Sequence, residues 1–121
     1  MTHADSRFLK GLRLFNEGEY FEAHDVIEAL WLETPSDDTF RDLYKGVIQA
    51  AAAIYQHRRG VLTGALGLRR TAVGYLEKYR PQAQGLDVEK FIMEVNAFFE
   101  RPEVHKPVAK YDPTTSGEVV G

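Results

Sequence analysis

Two ionisable side chains lie on the apolar side of a predicted helix near the start of the chain. His24, Glu28 and Trp31 are spaced by four and three residues, so an α-helix places them on one face. The opposite face carries Glu22, Asp25 and Glu33. Burying an ionisable group is costly unless it is paired, hydrogen-bonded or bound to a ligand. His24 and Glu28 are therefore the first candidates for a functional site.

Two interpretations of this pair remain open. Side chains at i and i+4 can converge on one atom, as a metal-ligand pair or as an acid/base pair. A carboxylate also orients an imidazole in a purely structural hydrogen-bond network between helices. A metal site needs three or four ligands. Glu22 and Asp25 are predicted to point away from His24, which leaves His57 as the attractive third ligand. Because the sequence does not supply a complete set of ligands, no metal site is predicted.

The third predicted helix has a second face that is small and polar. Gln49 and Gln56 share a stripe with Ala52 and Ala53, roughly opposite the main apolar stripe of that helix. This stripe is either an ordinary solvent-facing or helix-contacting surface, or one wall of a pocket. In the second case Gln49 meets His24 and Glu28 across the helix interface.

A polar pocket is the resulting site hypothesis, and its predicted members are His24, Glu28, Trp31, Gln49 and His57. Trp31 is either a stacking wall of this pocket or an anchor of the core. Residues 57–59 (His-Arg-Arg) end the third predicted helix, where positive charge is favoured by the negative end of the helix dipole. The alternative for them is an anion site completed by Arg69 and Arg70 on the next helix.

Length and composition exclude several classes of protein. A chain of 121 residues corresponds to one domain. Its net charge of −3 disfavours a nucleic-acid partner, since phosphate contacts need a basic field. The absence of cysteine removes disulfides and thiolate chemistry. No apolar run reaches the ~18 residues of a membrane span, and the first residues lack a signal-peptide pattern. A cytoplasmic protein without a membrane partner is expected.

The elements that position these residues are predicted to be helices almost throughout. Asp87 is the predicted cap of the last helix, and Ser36 or Asp37 that of the third. No strand is predicted. The expected helices cover about residues 5–17, 20–32, 37–59, 62–79 and 88–100.

The predicted fold class is all-α, a single-domain bundle of about five helices. Helices one to four form two antiparallel hairpins that resemble tetratricopeptide units, with glycine turns at Gly18 and Gly60. Helix three is central. The bundle domain is assigned to residues 1–101, and residues 102–121 form an extended tail that packs through Val108 and Tyr111.

Two sequence blocks carry a resemblance to a known family. The first runs from Phe15 to Trp31 and contains Tyr20-Phe21-Glu22-Ala23-His24-Asp25. The second begins Lys45-Gly46-Val47-Ile48-Gln49 and continues through the alanine run to Ala65. Together they resemble the small prokaryotic proteins of domain-of-unknown-function family three hundred and nine, over roughly residues 8–80. The resemblance implies an all-helical bundle and no established activity.

The sequence therefore predicts a small soluble helical protein whose activity it does not identify, most consistent with a binding or interaction module built on the polar pocket. One alternative is a small metal-dependent or acid/base hydrolase-like enzyme that uses His24 and Glu28. Another is that these two residues are purely structural. A small ligand or a protein partner is expected, and self-association is expected through Phe98, Phe99 and the tail. No cofactor is identified.

Overall fold

The computed structural model of the chain describes residues 4–113. Within this range it contains five α-helices, so the predicted all-α single-domain fold is confirmed. They are α1 (Ser6–Asn16), α2 (Tyr20–Glu33), α3 (Arg41–Arg58), α4 (Leu62–Leu76) and α5 (Val88–Glu100). No helix of this range is long and apolar enough to cross a membrane.

Local side chains cap α1 and α5 but not α3. The Asp5 carboxylate accepts a hydrogen bond from the Arg7 N–H, and the Asp87 carboxylate accepts one from the Lys90 N–H. The predicted capping of α3 by Ser36 or Asp37 is wrong, because residues 35–38 form a separate turn. Asp38 ends that turn by accepting a hydrogen bond from the Phe40 N–H at 2.8 Å, and such local bonds compete with helix formation.

In each of the two helical hairpins, α1–α2 and α3–α4, a glycine turn of the same kind connects the two helices. Gly18 and Gly60 have φ angles of 82° and 83°, a conformation that favours glycine. After α1, the Glu19 N–H donates to the Leu14 carbonyl at 2.9 Å. After α3, Val61 makes the equivalent bond to Gln56, also at 2.9 Å. Both turns are Schellman motifs, which satisfy the free carbonyls of the preceding helix.

Helix α3 lies between α2 and α4, as its alanine-rich middle predicts, while α1 packs against α2. Helix α5 closes the bundle, and its Phe91 ring lies 5.2 Å from that of Phe15 on α1. Phe98 is buried and Phe99 half-buried. The largest fully buried side chains include Phe8, Phe15, Phe91, Phe98, Leu12, Ile27, Leu43 and Ile54.

A small β-hairpin contradicts the prediction that the chain has no strand. Strands β1 (Gln82–Ala83) and β2 (Leu86–Asp87) pair in antiparallel fashion. Strands of two residues are too short to produce a detectable alternation of polar and apolar positions. The α-helical part of α4 also ends earlier than predicted, at Leu76, and Glu77–Tyr79 form one 3₁₀ turn.

The described part of the tail follows the bundle in an extended conformation. Tyr111 forms a bridge with Leu86, next to the β-hairpin. Val108, predicted to pack, is exposed, whereas Pro107 and Ala109 are buried. The rest of the predicted tail, residues 114–121, lies outside the described residues.

Candidate functional site

A cleft of about 150 Å³ lies between α2 and α3. Phe21 at the start of α2 contacts Tyr55 near the end of α3, and Trp31 near the end of α2 contacts Arg41 at the start of α3, so the two helices run in opposite directions. Ala52 lies in the wall, where its short side chain leaves room. The lining residues are Tyr20, Phe21 and His24 from α2, and Ala52, Tyr55 and Gln56 from α3.

Aromatic rings form much of the cleft wall, and two cations lie over them. The rings of Phe21 and Tyr55 are 5.5 Å apart and tilted by 40°. Phe21 is 50% exposed, so apolar surface at the cleft is open to a ligand. The Arg58 guanidinium lies 5.0 Å from the centre of the Tyr20 ring, and that of Arg59 lies 5.6 Å from the Tyr55 ring.

Tyr20 has an unpartnered polar group in this wall. The residue is 3% exposed, and its hydroxyl has no hydrogen-bond partner among the residues that the structure describes. Burial raises the pKa of Tyr20, while the positive charge of Arg58 opposes this effect. The hydroxyl is therefore neutral at physiological pH and keeps both its donor and its acceptor capacity.

His24 lines the cleft and also belongs to a cluster of potential metal ligands. Its Nδ1 atom lies 3.4 Å from the Asp25 carboxylate. One ligand atom from each of His24, Asp25 and Glu28 lies within 4.8 Å of the other two. The expectation that Asp25 points away from His24 is therefore wrong, because the two adjacent side chains turn toward each other at the helix surface.

This cluster has the composition of an open metal site. One imidazole and two carboxylates from a single helix would occupy three positions around a divalent cation and leave others for water or substrate. His24 and Glu28 are half-buried, and Asp25 is exposed. No hydrogen bond joins His24 to Glu28 in the part of the chain described by the structure.

The structure places His57 on a different side of α3. Its ring lies edge-on to those of Phe98 and Phe99 on α5, with centroid distances of 5.1 and 5.5 Å. His57 is therefore not among the residues that line the cleft with His24. A helix turns by about 100° per residue, so Gln56 and His57 face different neighbours.

Trp31 and Gln49 occupy the same α2–α3 surface without lining the cleft. The Trp31 ring has the Arg41 guanidinium at 4.3 Å and the Lys45 ammonium at 4.2 Å from its centre. These cation–π contacts fix the C-terminal end of α2 against the start of α3. Gln49 is half-buried, and Gln56, two turns further along α3, supplies the amide of the cleft.

Five lining residues were absent from the predicted pocket, namely Tyr20, Phe21, Ala52, Tyr55 and Gln56. Gln56 could have been identified, because it shares a helical stripe with Gln49. The half-exposed position of Phe21 had no signal in the sequence, since an apolar residue at the start of an amphipathic helix normally predicts burial.

Comparison with known proteins places the site within a family of unknown function. A family model described as "Domain of unknown function (DUF309)" matches residues 8–68, which include both walls of the cleft. The chain is also similar to the uncharacterized protein YpuF of Bacillus subtilis (strain 168). The two are 31% identical over 87 residues, which cover 70% of this chain and 49% of YpuF. The chain thus spans about half the length of that relative.

Proposed function

Because the chain belongs to the DUF309 family, whose description assigns no activity, we propose its function from the geometry of the site. The protein is a binding module that takes a small planar group into the cleft between α2 and α3. The occupant is a small molecule with one ring, or a single planar side chain of a protein partner. A cytoplasmic location is part of this proposal, and cell fractionation tests it.

The combination of aromatic walls and a few polar groups carries the proposal. The rings of Phe21 and Tyr55 offer surfaces for stacking, while Tyr20 is buried in the wall. His24 and Gln56 offer hydrogen bonds that would orient the occupant. Ligand sites commonly show this pattern of an apolar lining with a small number of placed polar groups.

The size of the cleft restricts the occupant. Pockets for drug-sized ligands usually measure about 300–1,000 Å³, whereas this cleft measures about 150 Å³. A single six-membered ring with one substituent fits this space better than a nucleotide or a larger cofactor. The expected affinity for such a fragment is correspondingly weak, in the millimolar range.

Amide chemical-shift mapping with benzamide tests the proposal. We expect saturable shifts at the residues that line the cleft. Ala52→Leu should abolish them, because the larger side chain fills the cleft without removing any polar group. Ala29→Leu, at an exposed position of α2, is the matched control and should leave binding unchanged. Shifts that persist in Ala52→Leu, or none in the wild-type protein, would contradict the proposal.

A second candidate function rests on the proximity of His24, Asp25 and Glu28. These side chains would hold a divalent cation, and the protein would then be a small metal-dependent enzyme. A bound cation supplies Lewis acidity and lowers the pKa of a bound water. The adjoining cleft would orient a substrate through its aromatic walls and Gln56.

A further inference from the structure

A second cleft, of about 260 Å³, lies between α4 and α5. It is lined by Arg69, Arg70 and Val73 from α4 and by Asn96 from α5. None of these residues lines the α2–α3 cleft. Arg69 is half-buried in this cleft, and Arg70 is exposed at its edge.

The Arg69 guanidinium is held in a defined position. One of its terminal N–H groups donates to the Asn96 side-chain oxygen at 3.0 Å. Its central carbon lies 5.6 Å from the centre of the Phe99 ring. These contacts restrict the side chain before any ligand arrives, which lowers the entropy cost of binding.

The charge of Arg69 is nevertheless uncompensated. Its Nε–H group is buried and has no hydrogen-bond acceptor among residues 4–113. Neither Arg69 nor Arg70 forms an ion pair with a carboxylate in that range. A partly buried guanidinium with an unpaired Nε–H and no carboxylate partner is costly for a folded protein, so an anion bound here would supply the missing negative partner.

The hydrogen-bonding groups of the cleft are almost all donors. Both guanidinium groups only donate, and the Asn96 oxygen is already occupied by Arg69. The remaining polar group, the Asn96 amide nitrogen, is also a donor. The matching ligand therefore carries several acceptor oxygens and a negative charge.

We propose that this cleft binds the phosphate group of a small molecule. Planar guanidinium groups bind phosphate oxygens in pairs, and Arg69 and Arg70 approach the cleft from adjacent positions on one helix. A phosphate has more acceptor oxygens and more charge than a carboxylate, and so matches two arginines and an amide better. This site is independent of the proposed occupant of the α2–α3 cleft.

Titration with inorganic phosphate tests the proposal, with sodium chloride at equal ionic strength as the reference. The readout is the Nε–Hε nuclear magnetic resonance signal of Arg69, together with the amides of the cleft. We expect a saturable shift with phosphate and none with chloride. The absence of a phosphate shift, or an equal shift with chloride, would overturn the proposal.

Substitution of the exposed arginine distinguishes binding from a purely structural role of Arg69. Arg70→Gln should keep the fold and weaken phosphate binding about tenfold or more, since hydrogen bonds to charged groups are strong. Arg13→Gln removes the same charge from an exposed position on α1 and should not change the affinity. Unchanged binding in Arg70→Gln, or equal weakening in both variants, would show that the cleft is not a phosphate site.

Discussion

Asn16 and Ala109 exchange two hydrogen bonds across 93 positions of the chain. The Asn16 side-chain nitrogen donates to the Ala109 carbonyl at 2.9 Å, and the Ala109 N–H donates to the Asn16 side-chain oxygen at 2.7 Å. The pair attaches the extended tail to the end of α1. The amide side chain supplies a donor and an acceptor on two separate atoms, which match the carbonyl and the N–H of one backbone residue.

Removing this amide should detach the tail. Asn16→Ala is expected to lower the free energy of unfolding by about 1–3 kcal/mol, because buried backbone groups of Ala109 lose their partners. Urea denaturation measures the loss, and hydrogen exchange should show faster exchange of the Ala109 amide. Glu17→Ala, at the neighbouring exposed position, should stay within about 0.5 kcal/mol of wild type. Comparable losses in both variants would contradict the role of Asn16.

Two glycines should respond oppositely to alanine. A Cβ atom at Gly11 would collide with the Ile27 side chain, whereas one at Gly67 would meet nothing within 4 Å. Gly11→Ala is therefore expected to destabilise the protein by about 1–3 kcal/mol through overpacking. Gly67→Ala should stabilise it by up to about 1 kcal/mol, because alanine favours the helix. Thermal unfolding of both variants checks this, and a stable Gly11→Ala protein would show that α1 and α2 pack less closely than described.

The stability of the fold should fall at alkaline pH because of Tyr44. Burial, assisted by the negative charges of Asp5 and Asp38, raises its pKa to about 12. The unfolded chain releases this proton near pH 10, before the folded protein does. The stability contribution is therefore complete below pH 10 and is lost as the pH rises toward 12, with a total of about 3 kcal/mol.

Comparison with Tyr44→Phe isolates this effect from other titrating groups. The difference in unfolding free energy between wild type and variant should be constant below pH 10 and should shift in favour of the variant above it. Urea denaturation across this range provides the measurement. A difference that does not change with pH would mean that the Tyr44 hydroxyl is not shielded from water.

The metal content of the untagged protein tests the second candidate function. If the cluster binds a cation, the wild-type protein contains stoichiometric divalent metal, and His24→Ala loses it. Glu22→Gln, which changes an exposed acid of the same helix, should retain the metal. Elemental analysis and a thermal-shift scan with divalent ions and chelator provide the measurement. A metal-free wild-type protein without any thermal shift would exclude this function.

The stability of His24→Ala and Glu28→Gln distinguishes a functional site from a structural hydrogen-bond network. Glu28→Gln should alter the free energy of unfolding by less than about 0.5 kcal/mol, since no hydrogen bond between His24 and Glu28 is lost. A buried structural pair would instead lose about 1–3 kcal/mol. A loss of that size in both His24→Ala and Glu28→Gln would support the structural interpretation.

The sequence alone determined the features that depend on neighbouring residues. The helices, the cap at Asp87 and the glycine turns at Gly18 and Gly60 all depend on interactions within a few residues. Helical periodicity likewise placed His24 and Glu28 on one face. The cap predicted for α3 was wrong because residues 35–38 form a separate turn instead.

Only the tertiary structure decided which faces meet. Successive side chains of a helix point in different directions. The orientation of α3 about its axis therefore places Gln56 at the cleft and His57 against Phe98 on α5. The contact of Asn16 with Ala109 and that of Arg69 with Asn96 also join distant segments. Such contacts depend on the packing of the whole core, which local sequence patterns do not encode.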